Sequence, residues 1–251
     1  MWWVTQLLPR IRILSPHAQP TQRRSVSIFK KYRGTVADLK STVMPSTYQT
    51  LGFYDGPLVW VDCEMTGLDP RKDKLLEIAV IITNGNLEPV DAGIEYIIRT
   101  EKKVLDKMNE WCVKQHGESG LTKACLESPH SLEAVHKSVL DYVKKWIPRE
   151  KIGVLAGNSI HCDKAFLVEA MPELVDWLHY RLFYVSSIKE LSRRWYGKNG
   201  ISPKPLDTSH RALDDIQGSI RELQWYRDNI FIKNESSAPL ASDPQAQTAQ
   251  R

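Results

Sequence analysis

The sequence LVWVDC at residues 58–63, followed by LLEIAVIIT at residues 75–83, indicates the fold of this chain. Both segments are short apolar runs, which is typical of strands buried in a sheet. An Asn-Gly-Asn sequence at residues 84–86 is a hairpin signal, and GIEYIIR at residues 93–99 resumes the strand character. The body therefore opens with three strands, which we expect to form an antiparallel meander.

After residue 100 the apolar spacing changes to that of helices. Helices are predicted at residues 102–112, 120–126, 131–147, 162–170, 187–195 and 210–229, and short strands at residues 153–157 and 182–185. The last helix carries one apolar stripe, formed by Leu213, Ile216, Ile220 and Leu223. Strands followed by alternating helices and strands indicate one α/β domain, a mixed five-stranded sheet flanked by helices.

Composition excludes several classes of protein. The chain has 251 residues, 42% hydrophobic and 25% charged, which excludes a collagen-like, coiled-coil or wholly disordered protein. No apolar run approaches the roughly 18 residues of a membrane span, so no membrane partner is expected. The four cysteines form no CxxC pair, which argues against a disulfide scaffold or zinc ribbon and favours a reducing compartment.

The N-terminal segment differs from the rest in charge. Residues 1–37 hold seven basic residues and no acid, whereas the remainder holds 27 basic and 30 acidic residues. Residues 1–33 combine arginines, hydroxyl side chains and apolar residues, which predicts a mitochondrial transit peptide. The alternative is a basic tail that binds nucleic acid or nothing. We expect a linker at residues 34–56, the folded domain at 57–233 and a disordered tail at 234–251.

Two carboxylates stand at the end of the first strand. Asp62 and Glu64 share one face because side chains alternate along a strand, and Cys63 points the other way. Burying two like charges side by side is costly unless a cation neutralises them. Hard oxygen ligands favour Mg²⁺ or Mn²⁺. The alternative is a solvated pair at the end of a strand.

Two further segments supply acids and a histidine. Asp163 opens a helix after the Gly-Asn-Ser sequence at residues 157–159, where it could equally serve as a helix cap. Asp215 lies beside Ile216 on the apolar stripe of the last helix, and His210 precedes it by five residues. Four carboxylates can share a site around two divalent ions that activate a water, with His210 as the general base.

These motifs resemble the DEDDh branch of the 3′→5′ exonucleases, which have an RNase H-like fold. The flanking residues resemble the oligoribonuclease family, especially its mitochondrial eukaryotic members. The matching segments are VWVDCEMTGL at 59–68, Trp111, HGESGL at 116–121, GNS at 157–159, HYR at 179–181, KEL at 189–191, RRW at 193–195 and SHRALDDI at 209–216. The resemblance covers roughly residues 57–233 without a large gap, and it implies that this domain is an exonuclease domain.

The resemblance implies a role for each matching position. It implies that Asp62, Glu64, Asp163 and Asp215 hold two Mg²⁺ or Mn²⁺ ions and that His210 is the general base. It also implies a set of substrate-binding residues. Leu68 would wedge between two bases, and Trp111 and His116 would hold the 3′ nucleotide. The 5′ phosphate would be bound by Ser159, Arg181, Ser186 and Ser187, and Tyr180 would reach the substrate from the partner of a homodimer. Without the resemblance, the residue types favour Leu68 and Trp111 as core residues and Arg181 as a surface charge.

One position departs from the family pattern. The family has Asp before the Val-Ser-Thr segment, where this chain has Tyr184. The expected activity is a metal-dependent 3′→5′ exoribonuclease that degrades short oligoribonucleotides, dinucleotides especially, to 5′-mononucleotides. The alternatives are a DNA 3′→5′ exonuclease and an inactive nucleotide-binding protein. The expected location is the mitochondrion, the matrix in particular. An additional cytosolic pool of the protein is left open.

Overall fold

The computed structural model describes residues 49–203 and 211–231. The predicted transit peptide, most of the predicted linker, His210 and the predicted tail lie outside these residues. The linker is described from Gln49 onwards, and it ends in a short 3₁₀ turn, Phe53–Asp55.

Five strands form one mixed sheet, as the sequence predicts. They are β1 (Leu58–Met65), β2 (Leu75–Thr83), β3 (Ile94–Ile97), β4 (Val154–Gly157) and β5 (Leu182–Tyr184), in the order β3-β2-β1-β4-β5. The first three are antiparallel neighbours, which confirms the meander, and β4 and β5 add in parallel on the other side of β1. The carboxyl ends of β1, β4 and β5 therefore lie at one edge of the sheet, where α/β proteins bind their ligands.

The described helices are α1 (Lys102–Leu105), α2 (Glu110–Glu118), α3 (Leu121–Glu127), α4 (Leu132–Trp146), α5 (His161–Ala170), α6 (Pro172–Trp177), α7 (Val185–Tyr196) and α8 (Ala212–Asn229). A single helix over residues 102–112 is wrong, because the Asn109 side chain accepts from the Cys112 N–H and starts α2 anew. The sequence prediction also missed α6, which begins at Pro172, a favoured first helical residue.

The start of the last helix also differs from its prediction. Arg211 has an extended backbone, φ −114° and ψ 138°, and is the N-cap residue of α8. The helical bonds begin with Asp215, whose N–H donates to the Arg211 carbonyl at 3.1 Å. The helix therefore starts at Ala212 rather than at residue 210.

The two faces of β1 belong to two different cores. Val59, Val61 and Cys63 pack with α4, α5 and α6 on one face. Leu58 and Trp60 pack on the other face against the apolar stripe of α8. Alternation then places Asp62 and Glu64 on the α8 face. A third cluster joins Leu76 to helices α1, α2 and α3. No helix in the described part of the chain has the length and apolar character needed to cross a bilayer.

Candidate metal centre and substrate surface

Three of the predicted metal ligands meet at the edge of the sheet. Carboxylate oxygens of Asp62, Glu64 and Asp215 lie within 4.8 Å of one another. β1 supplies the first two, and α8 brings the third because its apolar stripe packs on the same face of the sheet. The pairing of β1 with β2 shifts register between Glu64 and Met65, so the regular ladder ends at the site.

The fourth predicted ligand, Asp163, lies beside the same strand. It is buried in the first turn of α5, and its Oδ1 accepts a hydrogen bond from the Cys63 N–H at 3.0 Å. In the described structure it is not a member of the three-carboxylate group. Its charge nevertheless raises the pKa of Asp62, so it belongs to the same acidic site.

Burial raises the pKa values of the acids, and neighbouring acids raise those of Asp62 and Glu64 further. Burial, followed by the charges of Asp163 and Glu64, raises the pKa of Asp62 well above its ordinary value. Burial and the charge of Glu77 raise the pKa of Glu64 to about 7, and burial raises the pKa of Asp163 to about 7. Such a cluster is stabilised by a cation, and its all-oxygen chemistry fits a hard divalent ion.

His116 is buried behind the carboxylates. Its side chain is 2% exposed, and its Nε2–H donates to the Met65 carbonyl at 2.9 Å. Its Nδ1 lies 3.9 Å from Glu64 Oε2. Burial lowers the pKa of His116, which favours the neutral ring. A direct contact between His116 and the 3′ nucleotide stays a prediction, and in this structure the ring packs under the end of β1.

Leu68 is presented to solvent by a tightly bonded loop. Asp73 accepts from the Thr66 hydroxyl at 3.0 Å and from the Asp69 N–H at 2.9 Å. A side chain at Gly67 would overlap Asp73, since a Cβ there would lie 2.4 Å from Asp73 Oδ2. Leu68 follows Gly67 and is 63% exposed. It is therefore not a core residue.

Trp111 is also accessible, since it is exposed in the first turn of α2. This arrangement agrees with a stacking role for Trp111. That role is not tested by the structure and stays a prediction.

The serines predicted to bind phosphate come together in part. The Ser159 N–H donates to Ser186 Oγ at 3.0 Å, and Ser159 has the left-handed backbone angle φ 46°. Ser186 and the exposed Ser187 lie in the first turn of α7. Arg181 precedes β5, so it and these serines flank that strand at opposite ends.

Two tyrosines lie at the ends of β5: Tyr180 comes shortly before the strand, and Tyr184, the departure from the family pattern, is its last residue. Tyr180 is 73% exposed, its ring stacks on His179 at 4.5 Å, and the Arg181 guanidinium lies 5.4 Å from its centroid. Tyr184 is half-buried as the N-cap residue of α7 and makes no side-chain cap bond. Its ring lies 5.9 Å from that of His161.

Sequence reasoning assigned no role to one buried ion pair beside the site. Glu77 is fully buried on β2 directly opposite Glu64, and its Oε1 accepts from Arg211 Nε at 3.1 Å and Nη2 at 2.6 Å. Glu77 is an acid in the middle of an apolar strand, and that position is itself a signal, because such a charge must be paired.

Comparison with known proteins agrees with this geometry. The family model for the RNase T exonucleases matches residues 59–223. The mitochondrial oligoribonuclease of Saccharomyces cerevisiae is 42% identical over 234 residues, which cover 90% of this chain and 86% of that protein. The mitochondrial oligoribonuclease of Homo sapiens is 48% identical over 177 residues, 70% of this chain and 74% of that protein. The chain belongs to the oligoribonuclease family of exonucleases.

Solved structures give the family's fold independently. Exonuclease I of E. coli, solved in a complex with single-stranded DNA, matches with a TM-score of 0.55 at 13% identity. The match covers 70% of this chain and 41% of that one, so this chain spans about two fifths of the length of exonuclease I. At this identity the likeness shows the fold alone, and it confirms the predicted RNase H-like α/β architecture. Family membership and the acidic cluster together indicate that the protein uses a divalent metal.

Proposed function

We infer that this member of the oligoribonuclease family is a metal-dependent 3′→5′ exoribonuclease that degrades short oligoribonucleotides, dinucleotides especially, to 5′-mononucleotides. The observation that carries this inference is the meeting of Asp62, Glu64 and Asp215 within 4.8 Å. Relatives named oligoribonuclease match most of the chain at 42–48% identity. An inactive nucleotide-binding protein would have no need of three clustered, partly buried acids.

The carboxylates Asp62, Glu64, Asp163 and Asp215 would hold two ions, Mg²⁺ or Mn²⁺. Bound divalent ions activate water and neutralise the charge that develops on a phosphodiester. Of the protein groups, His210 is proposed to take the proton of the attacking water. Its position in the sequence, directly before Arg211 at the start of α8, supports this role.

The other predicted residues form the proposed substrate surface; most are exposed or half-buried, and His116 is buried. Leu68 would wedge between the two bases, while Trp111 and His116 hold the 3′ nucleotide. Phosphate at the 5′ end would be bound by Ser159, Arg181, Ser186 and Ser187, because hydroxyls and a guanidinium match its oxygens. Two held ends would make a dinucleotide the best substrate.

The test of this function is product analysis on a 5′-phosphorylated diribonucleotide, with Mg²⁺, with Mn²⁺ and with EDTA. We expect mononucleotides with metal and none with EDTA, and no turnover by Asp62→Ala at saturating metal. Cleavage rates on DNA oligonucleotides of two to about 20 residues, compared with those on RNA of the same lengths, distinguish an exoribonuclease from the alternative of a DNA exonuclease. Faster cleavage of long DNA than of short RNA would reject the proposed substrate class.

A homodimer would let Tyr180 of one subunit complete the site of the other, and its high exposure supports this. Complementation tests the arrangement. Asp62→Ala and Tyr180→Ala proteins should each be impaired, and their mixture should regain activity, because one site of each mixed dimer has both residues. No recovery in a mixture shown to exchange subunits would reject the shared site.

The predicted transit peptide and the relatives named mitochondrial support a mitochondrial location. A fluorescent protein fused behind residues 1–40 should enter mitochondria, because the segment is basic and free of acid. A variant with Arg10, Arg12, Arg23 and Arg24 changed to Glu is the matched control and should stay in the cytosol. Cytosolic fluorescence from the unchanged fusion would reject import through this segment.

A further inference from the structure

The ion pair of Glu77 and Arg211 connects the start of α8, which carries Asp215, to β2, the neighbour of the strand that carries Asp62 and Glu64. Glu77 stands on β2 opposite Glu64, with which it is paired in the strand register. The Arg211 guanidinium donates twice to Glu77 Oε1, and its Nη2 lies 3.3 Å from Glu95 Oε2 on β3. Arg211 therefore spans two strands of the sheet on the face that α8 covers.

The backbone of Arg211 connects the same pair to Asp215. The Asp215 N–H donates to the Arg211 carbonyl at 3.1 Å, which is the first helical bond of α8. One residue thus binds Glu77 through its side chain and Asp215 through its main chain. It is also covalently joined to His210, the proposed general base.

Glu77 also places a carboxylate beside the first turn of α8. The N-cap residue Arg211 makes no side-chain cap bond of its own. Burial raises the pKa of Glu77, while Arg211 and, to a smaller extent, the Ala212 N–H favour its charged form. A carboxylate at this end of a helix is favoured by the helix dipole.

Stability alone does not explain why a charge is buried here. A buried ion pair can be replaced by apolar side chains at little cost in stability, or with a gain, whereas loss of one partner is costly. An apolar pair would still let α8 pack on the sheet. It would not fix the helix by directed bonds along its axis, since apolar packing is non-directional.

We propose that Glu77 and Arg211 are positioning residues that hold the first turn of α8, and with it Asp215, in register with Asp62 and Glu64. This inference rests on the proposed metal-dependent function. Residues that orient metal ligands typically change metal affinity or activity by about 10–100-fold when they are replaced.

The experiment compares three replacements with a structural control. Arg211→Lys keeps the charge and loses the planar fork, Glu77→Gln keeps the shape and loses the charge, and the double variant Glu77→Leu/Arg211→Met replaces the pair by apolar groups. The control is Tyr142→Phe, which removes a 2.6 Å bond to Asp91 in the core on the opposite face of the sheet. Each protein is assayed for thermal unfolding, for Mn²⁺ binding by calorimetry, and for kcat and KM on a 5′-phosphorylated diribonucleotide.

We expect Arg211→Lys and the double variant to lose about 10–100-fold in kcat and about tenfold or more in Mn²⁺ affinity, with KM nearly unchanged. The double variant should regain the thermal stability that the single changes lose, without regaining activity. Tyr142→Phe should lose stability and keep both kcat and Mn²⁺ affinity.

Recovery of kcat and Mn²⁺ affinity together with stability in the double variant would show that the pair is merely structural. Wild-type Mn²⁺ affinity in Arg211→Lys would also overturn the proposal. Calorimetry distinguishes failure of the positioning role from failure of the proposed function, because it measures Mn²⁺ binding directly and not through RNA cleavage. Asp62→Ala is the reference for a protein that has lost the metal site. If wild type does not cleave RNA but Arg211→Lys still binds Mn²⁺ more weakly than wild type, the proposed function is rejected and the positioning role is retained.

Discussion

Replacement of Glu64 by Gln should stabilise the metal-free protein above neutral pH while it removes a carboxylate from the proposed metal site. Burial and the neighbouring acid Glu77 raise the pKa of Glu64 to about 7, from an ordinary value of 4.5. The folded protein therefore binds more protons at this position than the unfolded chain does between these two pH values. Its stability falls as pH rises through this interval. Below pH about 4.5 the penalty is absent, and above pH about 7 it is complete.

The size of the effect follows from the shift in pKa. Each unit corresponds to about 1.4 kcal/mol, so ionised Glu64 costs the metal-free fold up to about 3 kcal/mol at pH 8. Gln has nearly the same shape and no charge, so Glu64→Gln should recover most of this energy at pH 8 and little near pH 4.5. His116 has the opposite pH dependence, because its lowered pKa costs stability as pH falls. At pH 8 the His116 ring is neutral in both proteins, so it contributes nothing to the difference measured there.

The assay is urea unfolding of wild type and Glu64→Gln in EDTA at several pH values, with the difference in unfolding free energy as the readout. Glu118→Gln, an exposed acid on α2, is the matched control and should show no pH-dependent difference. Excess Mg²⁺ should then stabilise wild type more than Glu64→Gln, because it binds only the folded state. A difference that is the same at low and high pH, or a Glu64→Gln protein less stable than wild type at pH 8, would refute the reasoning.

Three further predictions concern catalysis and substrate. His210→Ala should lower kcat by about 10²–10⁴-fold with substrate binding retained; weaker binding at unchanged kcat would assign His210 another role. Arg181→Ala should erase about tenfold of the kcat/KM preference for 5′-phosphorylated over unphosphorylated dinucleotides, since a charge-assisted bond contributes roughly 1.5–3 kcal/mol; an unchanged ratio would remove Arg181 from the phosphate site. Asp73→Ala should raise KM for dinucleotides about fivefold or more at similar kcat. The reason is that each lost loop bond contributes about 1 kcal/mol to holding Leu68 in place. A KM equal to that of wild type would show that the loop does not need Asp73.

The sequence by itself determined the strands, most of the helices and the side of β1 and of the last helix that carries chemistry. Alternation along β1 places Asp62 and Glu64 on one face and Cys63 on the other, and the hairpin signal after β2 predicts the meander. The apolar stripe of the last helix predicts that Asp215 faces the sheet. These are local properties, because period and turn chemistry depend on residues close together in the chain.

Element boundaries near polar residues were determined less well. Asn109 is a favoured N-cap residue that apolar spacing alone does not reveal, and the bond from the Cys112 N–H to its side chain shows that a new helix begins there. Arg211 likewise has a good helical propensity, yet its bonds to Glu77 hold it in an extended conformation outside α8.

Only the tertiary structure decided which partners the buried polar groups have. A stripe on a helix does not say which face of a sheet it covers, so the meeting of Asp215 with Asp62 and Glu64 depends on α8 packing over Trp60. In the same way, β2 alone shows that Glu77 needs a partner but not that Arg211, 134 residues later, supplies it. Such pairings join segments distant in the chain. They are set by the long-range packing of the whole domain and not by any local pattern.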